Sequence, residues 1–338
     1  MKIALDAMGG DKSPSVEVAG AVLAVKEYHV EIILVGDEKQ LKQELEKHGA
    51  TGLPISIHHA SQRIEMHENP ASIVRRKKDA SIVVATALVR DGKASAVVSA
   101  GHTGATMASA LFILGPIKGV ERPAIATILP TLQGKAMMLD VGANVDCKPE
   151  HLYQFAIMGH VYAKKVMHLE NPRMGLLSIG EEDTKGNTLT KETFRHLKHS
   201  PLNFVGNIEG REVYAGNADV VVCDGFIGNV ALKISEGVAE TIGKLLAREI
   251  KKSIFGKIGY LLLKPAFTSF KKKVDYAEYG GAPLLGVNGV SIICHGRSSP
   301  IAIKNAIAMA VELTESQTIN YLQKDIAEMM ASYAEGMG

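Results

Sequence analysis

Short apolar runs that stop at Gly, Asp or Asn recur along the 338-residue chain: KIALDAMGG from residue 2, EIILVGD from 31, SAVVSAG from 95, AMMLDVGAN from 136, MGLLSIGEED from 174, NFVGNIEG from 203 and DVVVCDGFIGN from 219. Several lack polar alternation, as strands buried on both faces of a mainly parallel sheet do. Between them PSVEVAGAVLAVKEY (14–28), EKQLKQELEKHG (38–49), PASIVRRKKDASIVVATALVRDG (70–92) and PEHLYQFAIMGHVYAKKVM (149–167) place apolar residues near i, i+3, i+4 and i+7, the spacing of amphipathic helices. The alternation predicts βαβ units and an α/β fold, three-layer α/β/α with a mainly parallel sheet. Ligands of such sheets gather at the carboxyl ends of the strands, where the Gly, Asp and Asn residues concentrate. With no repeat and no low-complexity linker, residues 1–338 read as a single two-lobed domain.

One stretch departs from this pattern. Residues 250–275 carry seven lysines and only one acid, Asp275, interleaved with apolar residues including Ile258, Leu261, Leu262 and Leu263. Pro265 divides the stretch, which reads as a helical hairpin, basic on one side and apolar at its tip. Two roles fit: a helix pair in a core or dimer interface with solvated lysines, or a device for reversible attachment to an anionic lipid surface, to which each lysine adds roughly 1 kcal/mol.

Composition narrows the class. Hydrophobic residues make up 46% of the chain, enough for a sizeable core, and the formal net charge of +2 gives no reason to expect nucleic acid. No apolar run approaches the roughly 18 residues of a spanning helix. MKIALDAMGGD enters a strand without the apolar region of a signal peptide, so the chain is expected in the cytoplasm. The cysteines, Cys147, Cys223 and Cys294, are odd in number and far apart, which predicts free thiols.

The chemistry-bearing residues sit in the strand-end loops. GxSxG, GxxxxGK[ST] and HExxH motifs are absent, and DAMGGD fails the spacing of a dinucleotide loop. In DAMGGD, Gly9 and Gly10 allow close backbone approach, while Asp6 and Asp11 either hold polar groups of a ligand or cap the next helix. SAGHTGATM places Gly101, His102, Thr103 and Gly104 ahead of an apolar helix. Backbone amides there suit an anion, and Thr103 either contacts it or caps the helix. In DVGANVDCKPEH, Asp140, Asn144 and Asp146 share one loop; two carboxylates without a histidine point to hydrogen bonding and capping, and no metal site is assigned. Lys185 and Asn187 of EEDTKGN could meet a phosphate or a carbonyl oxygen, or simply be solvated. Asp224, Asn229 and Lys233 follow the apolar run VVVC, and Asn229 and Lys233 lie one helical turn apart, able to share a face.

Taken in order, MKIALDAMGGD, RRKK at 75–78, SAGHTGA, LDVGANVDCKPEH, EEDTKGN, DGFIGN and YGGAPLLG resemble the PlsX family of phosphate acyltransferases, from Met1 to about Ala310. The resemblance implies the reaction of acyl-[acyl carrier protein] with inorganic phosphate to give acyl phosphate and free carrier protein, in bacterial phospholipid synthesis upstream of a glycerol-3-phosphate acyltransferase. It also implies a fold like isocitrate and isopropylmalate dehydrogenases without a nicotinamide or other cofactor, a homodimer, and peripheral attachment to the membrane. The family's carrier protein is acidic, which gives Arg75, Arg76, Lys77 and Lys78 a partner where they would otherwise be a solvated helix face. Phosphate is expected at the amides of Gly101–Gly104 and of Gly9 and Gly10, with Lys185 neutralising charge. Asn229 and Lys233 then stabilise the oxyanion, and Asp224 orients a lysine or accepts a proton. The family usually carries Asn at the place of His102 and a small residue at that of Cys147, which argues against a histidine base and a cysteine nucleophile. The alternatives are a phosphate acetyltransferase using acetyl-coenzyme A and a non-catalytic scaffold recruited to the membrane.

Overall fold

The protein was analysed as a computed structural model that describes residues 1–274 and 280–336. Its strands are β1 (Lys2–Asp6), β2 (Glu31–Gly36), β3 (Ile55–His59), β4 (Ala96–Ser99), β5 (Ala124–Thr131), β6 (Gly134–Leu139), β7 (Met174–Leu177), β8 (Phe204–Ile208), β9 (Val220–Val222), β10 (Ala282–Leu285) and β11 (Val290–Ile293). Among the described residues they form one sheet in the order β3-β2-β1-β4-β11-β10-β5-β6-β9-β7-β8. The first five are mutually parallel, as are the last four. Between the two blocks, β10 runs antiparallel to β11 and to β5, and β5 antiparallel to β6.

Three successive reversals turn the second block against the first, so their strands point in opposite directions. Register then fixes where they end. Asp6, Ser99 and Ile293 lie on one row, and Ile293 faces Ala282 of β10. Val222 and Leu139 lie on another, and Leu139 faces Ala126, one residue beyond the Ile125 that faces Leu284. The carboxyl ends of both blocks therefore reach nearly the same level of the sheet, and their loops converge there.

The strand runs read from the sequence appear as β1, β2, β4, β6, β7, β8 and β9; β3, β5, β10 and β11 are additions. Alternate strand residues enter separate apolar clusters. Ile3, Leu5, Ile32 and Leu34 pack with Val18 and Ala21 of α1 (Ser15–Tyr28), with Ile303 and Ala306 near the carboxyl end of the chain, and with Leu152 and Phe155 of the helix at 149–165. Ala4, Ile33, Val35 and Val97 pack instead with Ile73 and Ile82.

After α2 (Glu38–Lys47), the helix expected over 70–92 is divided into α3 (Pro70–Arg76) and α4 (Ser81–Arg90). The break is fixed by bonds to the preceding segment: Asp79 accepts from the Ser61 N–H at 2.8 Å, and Lys77 Nζ donates to the Arg63 carbonyl at 3.0 Å. There follow α5 (Thr103–Ser109), which continues as a π-helical turn over Ala110–Leu114, α6 (Pro149–Lys165), α7 (Thr188–Lys198) and α8 (Gly210–Ala215).

The apolar stretch belongs to two long helices, α9 (Gly225–Lys252) and α10 (Ile254–Val274). They break at Ser253 and not at Pro265, which lies inside α10. Ser253 is extended, and its Oγ accepts the Gly256 N–H at 3.3 Å, starting a new helix. Pro265 only removes one N–H from an exposed helix, where water can satisfy the freed carbonyl. Asp275, the end of the expected hairpin, lies outside the described residues. None of the described helices is long and apolar enough to cross a membrane. The chain ends with α11 (Pro300–Glu315) and α12 (Thr318–Gly336).

Helices α1 and α11 touch at Gly20, where an added Cβ would lie 2.6 Å from Ile303 Cβ and 2.9 Å from the Pro300 carbonyl. Gly20→Ala is expected to lower unfolding stability by about 1–3 kcal/mol through overpacking, read as a lower denaturant midpoint with an unchanged slope. An equal or higher midpoint would contradict this packing.

Candidate active site

The first loop group follows β1 and β4. Asp6 is fully buried; Ser99 Oγ donates to its Oδ2 at 2.7 Å and the Met8 N–H to its Oδ1 at 3.2 Å. Burial raises its pKa, opposed by the Ser81 and Ser99 hydroxyls and the Met8 amide. Its oxygens thus serve the loop, so the expectation of Asp6 as a direct ligand gives way to a structural role. An added Cβ on Gly9 would lie 2.7 Å from Gly101 Cα, so the DAMGG and SAGHTG turns meet backbone to backbone. Only glycine allows that approach. Asp11 donates its N–H to the Gly296 carbonyl at 2.9 Å, which ties the same turn to the segment after β11.

The cap of α5 is His102 and not Thr103. His102 Nδ1 accepts the Gly104 N–H at 3.1 Å, and Ser99 Oγ accepts the Gly101 N–H at 3.1 Å. An accepting Nδ1 leaves the ring proton on Nε2. The amides of Gly101 and Gly104 are therefore already taken. Within this turn, those of His102 and Thr103 remain open to an anion, and Thr103 is exposed.

The second group follows β6 and β9, with Asp140 as its hub. This carboxylate, 0% exposed, accepts at Oδ1 from the N–H groups of Ile125 (3.0 Å), Gly142 (3.2 Å) and Ala143 (3.0 Å). Its Oδ2 accepts from the Asn144 N–H (2.7 Å) and Nδ2 (2.9 Å). Asn144 Nδ2 also reaches the Pro123 carbonyl at 2.8 Å, so Asn144, expected at substrate, is a buried brace. Asp140 and its loop press on the start of α9: a Cβ on Gly225 would lie 2.7 Å from Asp140 Oδ2, and one on Gly228 would overlap the Asp140 carbonyl.

Asp224 caps α9, its Oδ1 accepting the Phe226 and Ile227 N–H groups at 3.0 Å each. Among the described residues it forms no ion pair with a lysine. Asn229 is exposed, with its Nδ2 3.3 Å from the Cβ position of Gly142. It lies over the Asp140 loop. Lys233, one turn on, pairs with Glu236 at 2.8 Å. Cys147 has its thiol pushed up to about 12, chiefly by burial and then by Asp140; burial likewise raises Cys223, and Cys294 to about 12. All three thiols are held protonated, unlike an activated nucleophile.

A third group follows β7. Lys185 is exposed on a turn whose Gly180 would bring a Cβ within 2.9 Å of Lys185 Cγ. Asn187 caps α7, its Oδ1 accepting the Thr190 N–H at 2.9 Å. Asn207, at the end of β8, was not singled out from the sequence. It is buried, its Nδ2 donates to the Glu182 carbonyl at 2.9 Å, and its Oδ1 has no partner, like Ser178 Oγ beside it. The end of the apolar run NFVGN was the available signal. Ser99 was missed likewise, though it ends SAVVS.

The basic run 75–78 is not one surface. The Arg75 guanidinium stacks 4.4 Å from the Phe112 ring centroid, and Lys77 is tied to Glu68 at 2.8 Å, leaving Arg76 and Lys78 as its exposed, unpaired cations among the described residues.

The family described as "Fatty acid synthesis protein" matches residues 1–321. The chain is 57% identical over 335 residues to a phosphate acyltransferase of Geobacter sulfurreducens, covering 99% of this chain and 94% of that protein. It is 56% identical to one of Pelotomaculum thermopropionicum, covering 99% and 98%. Among solved structures, a phosphotransacetylase from Streptococcus pyogenes superposes with a TM-score of 0.62 at 19% identity, over 95% of this chain and 94% of that one. A 4-hydroxythreonine-4-phosphate dehydrogenase from Salmonella typhimurium, described as putative, gives 0.54 at 13% identity, over 92% and 99%. At those identities the likeness is one of fold.

Replacing Asp140 with Ala would strand several buried N–H groups, each costing about 1–3 kcal/mol. A stability loss of at least about 3 kcal/mol in denaturant unfolding is expected. A loss below about 1 kcal/mol would show that Asp140 is not the hub of this loop.

Proposed function

The chain belongs to the phosphate acyltransferase family, an acyltransferase of phospholipid synthesis, and on that premise we propose how its strand-end loops carry the reaction. Inorganic phosphate is bound where the Gly9 and Gly101 turns touch, by the Gly9, His102 and Thr103 amides, the Gly10 amide being turned to the Glu17 carboxyl. The observation that carries this reading is that close backbone contact, which leaves no room for a side chain between the two turns. We assign the cation to Lys185 of the loop after β7, with Asn187 and Asp11 as further polar groups of the site.

The acyl donor is acyl-[acyl carrier protein]. A phosphate oxygen attacks the thioester carbonyl carbon, the carbonyl becomes an oxyanion, and its collapse expels the carrier thiolate and leaves acyl phosphate. Phosphate dianion needs no base for this, so Asp224 can remain a helix cap. Positioning the two reactants supplies several kcal/mol of the barrier reduction, up to about 7 or more in favourable systems. Asn229 Nδ2 faces the oxyanion; Lys233 contributes only if its pairing with Glu236 opens. The protonated thiols agree with direct transfer without an acyl-cysteine.

Arg76 and Lys78, with the stacked Arg75, offer charge to an acidic carrier protein, while Lys77 holds their loop. The α9–α10 hairpin leaves Ile234, Val238 and Ile242 exposed along its stem, and Phe255 (81%), Ile258, Leu261, Leu262 (76%) and Leu263 along α10. We assign the stem to a second copy of the chain and the lysine-flanked α10 face to an anionic membrane surface, with the body of the protein in the cytoplasm. Acyl phosphate made there is a lipid-soluble substrate for a glycerol-3-phosphate acyltransferase. The three-layer architecture of isocitrate and isopropylmalate dehydrogenases is the finer fold assignment, supported by the apolar clusters on opposite faces of the strands.

Thiol release measured with long-chain acyl-[acyl carrier protein] and with acetyl-coenzyme A tests the reaction. Release should require phosphate and favour the carrier-protein donor; phosphate-independent release, or preference for acetyl-coenzyme A, would overturn it. Asn229→Ala should lower kcat/KM by about 100-fold or more in a folded protein, and Lys185→Ala should also lose most activity. Trapping of a stoichiometric acyl-enzyme without phosphate would rule out direct attack. For the hairpin, replacing Leu261 and Leu262 with Glu should abolish co-sedimentation with anionic vesicles and spare turnover in solution; unchanged sedimentation would remove the membrane assignment.

A further inference from the structure

Beneath the Gly9–Gly10 turn lies a carboxyl group that the reaction does not use. Glu17, in the first turn of α1, is 1% exposed, and its Oε2 has no partner. A Cβ on Gly10 would overlap its Oε1, so the carboxyl sits directly against the turn. Ser13 Oγ lies 2.9 Å from Glu17 Oε1 and 2.9 Å from the Gly10 carbonyl oxygen. Both neighbours are acceptors when Glu17 is ionised, yet a serine hydroxyl has one hydrogen. A neutral Glu17 satisfies the triad: Glu17 Oε1–H donates to Ser13 Oγ, and Ser13 Oγ–H donates to the Gly10 carbonyl.

We propose that Glu17 is a positioning residue: neutral, it holds the Gly10 carbonyl through Ser13 and keeps the turn set for phosphate, and ionised, it releases that carbonyl and puts a negative charge under the anion. This rests on the placement of phosphate at that turn given above. An ionised Glu17 would also leave a charged oxygen buried without a partner, an expensive arrangement. Burial accordingly pushes the carboxyl up to about 7, opposed by its own amide, the Ser13 hydroxyl and the Gly10 amide, and reinforced by Asp6. The titratable groups that face it are Asp6 at the end of β1 and the Cys294 thiol past β11, both raised by burial, and no cation among the described residues pairs with it. The group thus changes charge where phosphate itself does.

Glu17→Gln keeps the shape and a donor to Ser13 while removing the titration. Because phosphate ionises equally in both assays, the ratio of phosphate KM, wild type over Glu17→Gln, cancels the substrate's own pH dependence. That ratio should rise by about threefold or more between about pH 6 and pH 8, with the acyl-donor KM ratio flat. Stability gives a second readout. A raised carboxyl favours the folded wild type below its unfolded value and loses that advantage as pH rises through about 7. The melting temperature of Glu17→Gln should therefore gain on wild type from about pH 5 to pH 8.

Gly9→Ala separates this inference from the site it rests on. If Gly9→Ala raises phosphate KM but the wild-type to Glu17→Gln ratio stays flat with pH, phosphate binds at the turn and the Glu17 inference is overturned. If Gly9→Ala leaves phosphate KM unchanged, the placement of phosphate fails and the inference falls with it. A melting difference that does not change with pH would likewise overturn it.

Discussion

The reversal of strand direction across β10 and β5 is the constraint on which the rest depends. Two parallel blocks joined without it would send their loops to the same edge side by side. Joined through three antiparallel pairings, they point at one another, and register brings Ile293 and Leu139 to almost one level along β10. The loops after β1, β4, β6 and β9 start from that level. The four residues of β10 pair first with β11 and then with β5.

Within that frame, buried acids do the local organising. Asp140 collects five N–H contacts from the β6 loop and β5, and Asp6 collects Ser99 and the Met8 amide. Each carboxyl is desolvated, and each is surrounded by donors that recover part of that cost. The glycines then press the loops together until only backbone lies between them. The result is two turns in backbone contact, with the His102 imidazole engaged as a helix cap and burial holding the cysteine thiols protonated.

Much of this was legible in the sequence, and the misreadings have physical causes. Apolar runs bounded by Gly and Asp marked seven strands correctly because buried parallel strands need no polar alternation. β3 is a half-exposed edge strand, β5 contains Pro130, β10 contains Pro283 and β11 contains Ser291, so none gave a clear apolar run. Local spacing found the loops but not the direction of their side chains. Thr103 and His102 are both polar and adjacent, and only the fold decides that the imidazole caps α5. Likewise Lys233 shares a turn with Asn229, yet Glu236 three residues on captures it. Glu17 sits in an amphipathic pattern as one more polar residue, and its burial against Gly10 depends on the packing of α1, which sequence spacing does not encode.

The claim that the touching glycine turns form the phosphate site is tested most directly by titrating inorganic phosphate into isotopically labelled protein and following backbone amide resonances. The account predicts that the largest shifts fall on Gly9, His102 and Thr103, with Gly101 and Gly104, already bonded internally, moving less. Shifts centred on Gly225 to Asn229, with the Gly9 and His102 amides unmoved, would contradict it.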